Sequence, residues 1–190
     1  AMAVVDTNNG AVLAMIGGRD YTVRRGLNRA TQMRRQPGSA LKPLAVYGPA
    51  LELGYTTASV LLDEKTSFGG YTPRNAGDRY YGLVTMRTAI RNSLNTTAVR
   101  LLEEIGLDAS IQYLNKMGIP TRNSDRNLSL ALGSMTYGVT PVELAAAYVP
   151  YANGGIYHQP YCVERIETVD GSNVYERKDS GKQVLSAQNA

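Results

Sequence analysis

The sequence predicts an α+β fold in which antiparallel strands are flanked by helices. Three observations carry that expectation: two apolar runs around an Asn-Gly step near the start, a long middle section with helical spacing punctuated by Gly and Pro, and two β-like runs around an Asp-Gly step near the end. At 190 residues, 43% hydrophobic and 19% charged, the chain has the length and composition of one globular domain with a sizeable core.

Residues 3–5 (AVV) and 11–16 (AVLAMI) flank DTNNG, and Asn9-Gly10 is the strongest short hairpin signal because a tight primed turn needs positive φ at its centre. The second run is apolar without alternation. That predicts a strand covered on both faces, hence a sheet sandwiched by helices; Gly17-Gly18 ends it. Residues 39–152 read as helical. Leu41, Leu44, Ala45 and Leu51 mark one apolar face, and Ile90, Leu94, Ala98, Leu101, Leu102 and Ile105 mark another that stops at Gly106. Asp108 is expected to cap a segment running through Met117 and closed by Gly118. Thr140-Pro141-Val142-Glu143 is a capping box with proline at the first helical position, and Pro150 should end or kink the helix it starts. Gly154-Gly155 then release the chain into YCVERIETVDGSNVYE, a second hairpin around Asp170-Gly171.

Charge and residue counts narrow the function. Net charge is +4, but the twenty basic residues are scattered, which argues against a nucleic-acid partner. The single cysteine, Cys162, excludes an internal disulfide, and with the single histidine, His158, it is too little for a metal site of those residue types. No apolar run approaches the roughly 20 residues that span a bilayer.

RQPGSALKP, residues 35–43, holds the chemistry. If a helix begins at Ser39 or Ala40, residues three apart share a face, and the Lys42 amine comes within reach of the Ser39 hydroxyl. A serine hydroxyl attacks only when a base takes its proton, and a lysine desolvated in a pocket has its pKa lowered toward that task. The Pro37-Gly38 turn delivers the serine at a helix start, where unpaired backbone N–H groups suit the oxyanion of an acyl intermediate. Against this stands the ordinary role of a serine as helix cap and of a lysine as a solvated side chain. Further along, Ser93-Leu94-Asn95 falls at a break in the helical pattern: Ser93 is a candidate proton relay, and Asn95 a candidate to hold a substrate carbonyl or the lysine. The competing reading of Asn95 is a cap for TTAVRLLEEIG.

S-x-x-K followed by S-x-N belongs to the motif set of β-lactamases and penicillin-binding proteins. Three stretches, GAVLAMIGGRDY…LNRATQMRRQPGSALKP, YTPRNAGDRYYGLVTMRTAIRNSLNTTAVRLLEEIG and LALGSMTYGVTPVELAAAYVPYANGG, closely resemble the transpeptidase domain of class A (bifunctional) penicillin-binding proteins and cover most of residues 3–155. The resemblance implies a β-lactamase/transpeptidase-like fold, here incomplete, with residues 1–190 forming the N-terminal portion of one transpeptidase domain: first two core strands, helical block and a small hairpin. It implies that Ser39 is the acylated nucleophile, Lys42 its base, Ser93 the relay and Asn95 a contact to the substrate amide. The reaction implied is D,D-transpeptidation of peptidoglycan stem peptides ending in D-Ala-D-Ala, blocked by β-lactams, at the extracytoplasmic face of a bacterial cell membrane, with no metal or organic cofactor.

The chain departs from the family in lacking K-T-G or K-S-G. Lys65-Thr66-Ser67 precedes Ser93 and lacks the glycine, and Lys182 is followed by Gln183-Val184. A remaining C-terminal segment, possibly a second chain, is therefore an expected partner, and without it the fragment is expected to be inactive. Two rival readings are a serine β-lactamase and a non-catalytic β-lactam sensor or scaffold. A class A lactamase needs an acid in E-x-x-L-N, where this chain has Ile111-Gln112-Tyr113-Leu114-Asn115. Arg19-Asp20 and Gly133-Ser134 are further candidates for lining the cleft, and Tyr80 and Tyr81 for substrate contact. His158, Cys162 and the other tyrosines read as packing residues.

Overall fold

The computed structural model describes residues 1–20 and 22–190; Tyr21, the last residue of the GGRDY stretch, lies outside them. Contacts divide the chain into two compact units, one of Ala1–Arg34, Val139–Gln188 and Ala190, the other of Arg35–Gly138 and Asn189.

In the first unit, β1 (Met2–Val5) and β2 (Val12–Ile16) form the expected antiparallel hairpin, with Met2 opposite Ile16 and Val4 opposite Ala14. Gly10, at φ +80°, is where the turn needs glycine: its N–H donates to Asp6 O, and Asp6 N–H donates to Ala11 O across the loop. Helix α5 (Pro141–Tyr148) packs on β1. The expected capping box is present, with Thr140 Oγ1 accepting from Glu143 N at 3.2 Å and Glu143 Oε2 accepting from Thr140 N at 2.9 Å. Arg34 also ion-pairs with Glu143, tying the end of the preceding loop to the same cap. At Pro150 the helix gives way to a short 3-10 turn.

β5 (Ile156–Tyr157) pairs with β8 (Lys182–Gln183), and between them β6 (Arg165–Glu167) and β7 (Asn173–Glu176) make the predicted second hairpin. The expectation that both faces of the second strand are covered fails for the described residues. Leu13 and Ile16 are 62% and 49% exposed. The reasons differ: Ile16 lies opposite Met2 on the ribbon face that also exposes Val4, whereas Leu13 falls at the register shift between Val4 and Val5 and has no cross-strand partner.

The second unit is built around a helical segment whose middle is buried. A 3-10 turn at Gly38–Leu41 runs through Lys42 into a π-helical turn at Pro43–Tyr47 and then α1 (Gly48–Glu52). Leu41, Leu44, Ala45, Val46 and Ala50 have no exposed surface, so the middle of the segment is buried on more than one stripe, with the amine-bearing Lys42 among these residues. Two prolines explain the irregularity. Pro43 and Pro49 lack N–H groups, and the ring of Pro49 would clash with the carbonyl four residues back, so the turn widens and Gly48 N–H reaches Pro43 O instead.

The expectation of helix throughout 39–152 is corrected at β3 (Val60–Asp63) and β4 (Gly82–Thr85), an antiparallel pair with Val60 opposite Thr85. Helix α2 (Met86–Arg91), capped by Thr85 Oγ1, leads into α3 (Asn95–Ile105) and α4 (Leu107–Lys116). Gly106, at φ +85°, ends α3 and serves as N-cap of α4, so Asp108 lies inside the first turn, paired with Arg126 at 2.5 Å, rather than at the cap. Ala98, Val99, Leu101 and Leu102 of α3 are buried with Leu114, Met117 and Leu130. The whole is the α+β, β-lactamase/transpeptidase-like architecture expected, with short antiparallel strands and helices. No helix among the described residues is long and apolar enough to cross a membrane.

Candidate active site

All four predicted site residues lie in the second unit. Ser39 sits in the 3-10 turn and is exposed, while Lys42, one turn on, is 2% exposed. Gly38, at φ +59°, makes the turn that lifts the serine, a conformation open to glycine at little cost. The loop 133–138 supports the turn from behind: a Cβ on Gly133 would meet Gly38 O at 2.1 Å, a Cβ on Gly138 would meet Arg35 O at 2.3 Å, and Gln36 Nε2 donates to Met135 O at 3.4 Å. Gly133 thus underlies the turn that carries Ser39. That loop is held by Asp125, 1% exposed, whose Oδ1 accepts from Thr136 N at 2.7 Å and from Thr136 Oγ1 at 2.6 Å.

Between α2 and α3 the chain reverses at Ser93, a non-glycine residue at φ +51°. Such a conformation persists where surrounding structure over-determines it. Here Lys42 does so. Its Nζ donates to Ser93 O at 2.6 Å, to Leu94 O at 3.2 Å and to Asn95 Oδ1 at 2.6 Å, and lies 3.1 Å from Ser93 Oγ. An ammonium has three donors and meets four acceptors, so Ser93 Oγ competes with the carbonyls for a proton. Burial lowers the lysine to about 8, since desolvation penalises the charged form.

The geometry therefore brings Lys42, Ser93 and Asn95 together. Among the described residues no hydrogen bond joins Ser39 Oγ to Nζ; the bonds of the amine go to residues 93–95. The expected helical start at Ser39 takes the form of a four-residue 3-10 turn that continues through Lys42 into the π-helical turn and α1.

Asn95 is not the cap of α3. It occupies the first helical position, with Leu94 at the cap and no local side-chain bond. Its Oδ1 goes to Lys42 and its Nδ2 to Arg74 O at 2.7 Å. The capping oxygen comes from Asn75, whose Oδ1 accepts from Asn95 N at 2.7 Å and Thr96 N at 3.2 Å. Sequence reading missed Asn75 because capping signals are sought beside the helix, and this one comes from a distant loop.

Tyr80 donates to Asp78 at 2.7 Å, and Tyr81 is 56% exposed. Lys65-Thr66-Ser67 forms no strand; Thr66 Oγ1 accepts from Arg100 at 2.9 Å. Arg19 and Asp20 border a cavity of about 410 Å³ within the first unit. His158 is 9% exposed beside Asp179, as a packing residue would be, whereas Cys162 is exposed.

Residues 1–190 match the family described as "Penicillin binding protein transpeptidase domain". Penicillin-binding protein 1F of Bacillus subtilis (strain 168) is 45% identical over 97% of this chain, which spans 25% of that protein. The crystal structure of penicillin-binding protein 1A from Haemophilus influenzae superposes with a TM-score of 0.78 at 32% identity, covering 96% of this chain and 27% of that one. PonA1 from Mycobacterium tuberculosis, solved in complex with penicillin V, shares the fold at a TM-score of 0.83 and 24% identity over 98% of this chain and 52% of that one. The chain thus spans about a quarter of the length of the curated class A relatives it matches. With the S-x-x-K and S-x-N motifs in hand and the family match running from end to end, the chain belongs to the penicillin-binding protein transpeptidase family.

Proposed function

We propose that residues 1–190 are part of one serine D,D-transpeptidase domain that cross-links peptidoglycan stem peptides through an acyl-enzyme on Ser39. The single observation that carries the reading is the buried Lys42 amine, within 3.1 Å of Ser93 Oγ and bonded to Asn95 Oδ1, one turn along from an exposed serine.

In the first step Ser39 Oγ attacks the penultimate D-Ala carbonyl of a stem peptide ending in D-Ala-D-Ala. An ester to Ser39 forms and the peptide bond to the terminal D-Ala breaks. Neutral Lys42 takes the hydroxyl proton, and Ser93 passes a proton to the departing amine. In the second step an amine of a neighbouring stem peptide attacks the ester, its proton returns to Ser39 Oγ, and the cross-link closes. Asn95 Nδ2 holds the substrate amide. β-Lactams acylate the same serine as mimics of the stem peptide; PonA1, the neighbour bound to penicillin V, supports this. Given that the relatives are class A penicillin-binding proteins, the setting is the extracytoplasmic face of a bacterial membrane.

The test is intact-mass spectrometry of the full-length protein carrying this chain after exposure to penicillin, with Ser39→Ala alongside. A lasting adduct on the wild type, none on the variant, and cross-linking of lipid-linked substrate are expected. Rapid turnover would make the protein a β-lactamase, an adduct without cross-linking a sensor, and an adduct on Ser39→Ala would remove Ser39 from the mechanism. Ile111, half-buried on α4, offers no carboxylate to drive turnover.

A further inference from the structure

The buried polar groups that the acyl-transfer steps leave unused converge on one place. Asp63, at the end of β3, is wholly buried, and Asn75, in the loop before β4, is 6% exposed. Asp63 Oδ1 accepts from Asn75 Nδ2 at 2.7 Å and from Thr96 Oγ1, and its Oδ2 accepts from Tyr81 N at 3.0 Å. Asn75 Nδ2 also donates to Arg79 O at 2.9 Å, and its Oδ1 takes the first two N–H groups of α3.

A helix start can be capped by a Ser, Asp or Asn at the cap position itself, which would satisfy the same N–H groups. Capping from a distant loop does something that a local cap does not. It ties the main chain of Asn95 to β3, while the neighbouring carbonyl, Arg74 O, takes Asn95 Nδ2 and Lys42 takes Asn95 Oδ1. Asn95 is thereby held at three points from two sides, its amide orientation set by a donor on one side and an acceptor on the other. The buried carboxylate of Asp63 is what holds Asn75: with two of its acceptor sites filled by groups from the Asn75–Tyr81 loop and one by Thr96 of α3, it joins strand, loop and helix. The unbroken bond chain runs Lys42, Asn95, Asn75, Asp63.

We infer that Asp63 and Asn75 are positioning residues of the transpeptidase site, holding the S-x-N segment in register with Lys42 so that Ser93 stays within reach of Nζ and Asn95 presents its amide to substrate. The inference rests on the roles proposed above for Ser39, Lys42, Ser93 and Asn95. A misplacement of about 1 Å at such a site costs on the order of 100-fold in rate.

The experiment measures acylation of the full-length protein by a fluorescent penicillin, separating the saturation constant from the first-order acylation rate, for Asn75→Ala, Asp63→Asn, Asn75→Asp and the swapped pair Asp63→Asn/Asn75→Asp. The swap keeps a carboxylate and an amide in contact, the amide now donating from position 63 and the carboxylate capping α3, while the bond to Arg79 O is lost, so recovery is partial. Each single variant should lose roughly 100-fold in the acylation rate, with a much smaller change in saturation, and the swap should recover at least about tenfold of that loss. If single variants do not fold, the swapped pair alone decides, by acylating or not. A wild-type rate in Asn75→Ala, or a swapped pair no faster than the slower single variant, overturns the inference while leaving Ser39 in place. A wild-type protein that is not acylated at Ser39 overturns the proposed function and this inference together.

Discussion

Gly133 lies against the main chain of Gly38 so closely that a Cβ on it would meet Gly38 N at 2.5 Å and Gly38 C at 2.6 Å. Neither residue carries chemistry, yet the contact fixes the height of the turn that presents Ser39. Gly133 also has φ +79°, which a side chain rarely adopts.

Gly133→Ala is accordingly expected to push the Gly38–Ser39 turn out of place. Acylation by a fluorescent penicillin should fall by about 100-fold, and thermal stability by about 1–3 kcal/mol from overpacking. An unchanged acylation rate would mean that the turn is set elsewhere.

The acylation rate should depend on pH through Lys42. Only the neutral amine takes a proton, and burial places its ionisation at about 8. The rate therefore rises with pH toward a plateau above 8 and drops about tenfold per unit well below it. A profile flat from pH 6 to 9 at constant stability would assign the base to another group.

Lys42→Met keeps the side-chain stem but leaves Ser93 O, Leu94 O and Asn95 Oδ1 without their donor. Leu94 O is a buried acceptor and costs about 1–3 kcal/mol when orphaned, the part-buried Ser93 O and Asn95 Oδ1 cost less, and the left-handed reversal at Ser93 loses the group that over-determines it. Urea unfolding should show a loss of about 1–3 kcal/mol. Acylation should slow by at least about 100-fold. Full stability in this variant would show that the lysine is not a structural anchor.

Thr140→Ala removes the acceptor for Glu143 N at the start of α5. Denaturant unfolding should record a loss of about 1 kcal/mol, and Thr140→Ser should retain most of it. Equal losses in the two variants would point to the methyl group instead.

The face of the β1–β2 hairpin away from α5 exposes Met2, Val4 and Ile16. A flat apolar ribbon favours association with other strands. Replacing Val4 and Ile16 by Thr should reduce concentration-dependent self-association of the isolated chain in sedimentation velocity, with the far-ultraviolet circular dichroism unchanged; equal association would place the sticky surface elsewhere.

What could be read without coordinates was local. The capping box at Thr140–Glu143, the two hairpins at Asn9-Gly10 and Asp170-Gly171, and the break at Ser93 all rest on bonds between residues a few positions apart, so residue type and spacing suffice to announce them. The same locality misled at Asp108 and Asn95, both plausible caps by type. Gly106 does the first job because its positive φ lets one helix end and the next begin without a linker, and Asn75 does the second from across the unit. The β3–β4 ladder was hidden within a section read as helical, since short apolar runs do not distinguish strand from helix until they find a partner.

The amino-acid order by itself determined which residues could do chemistry: an alcohol and an amine one turn apart, and a second alcohol two positions before an amide. Tertiary structure alone decided that the bonds of the amine go to Ser93, Leu94 and Asn95, that Asn75 and Asp63 stand behind Asn95, and that Gly133 underlies Gly38. The reason is physical. Periodicity and capping encode interactions whose partners are neighbours along the chain, whereas a buried donor takes whichever acceptors the packing of distant segments brings within about 3 Å, and nothing in the local pattern names them.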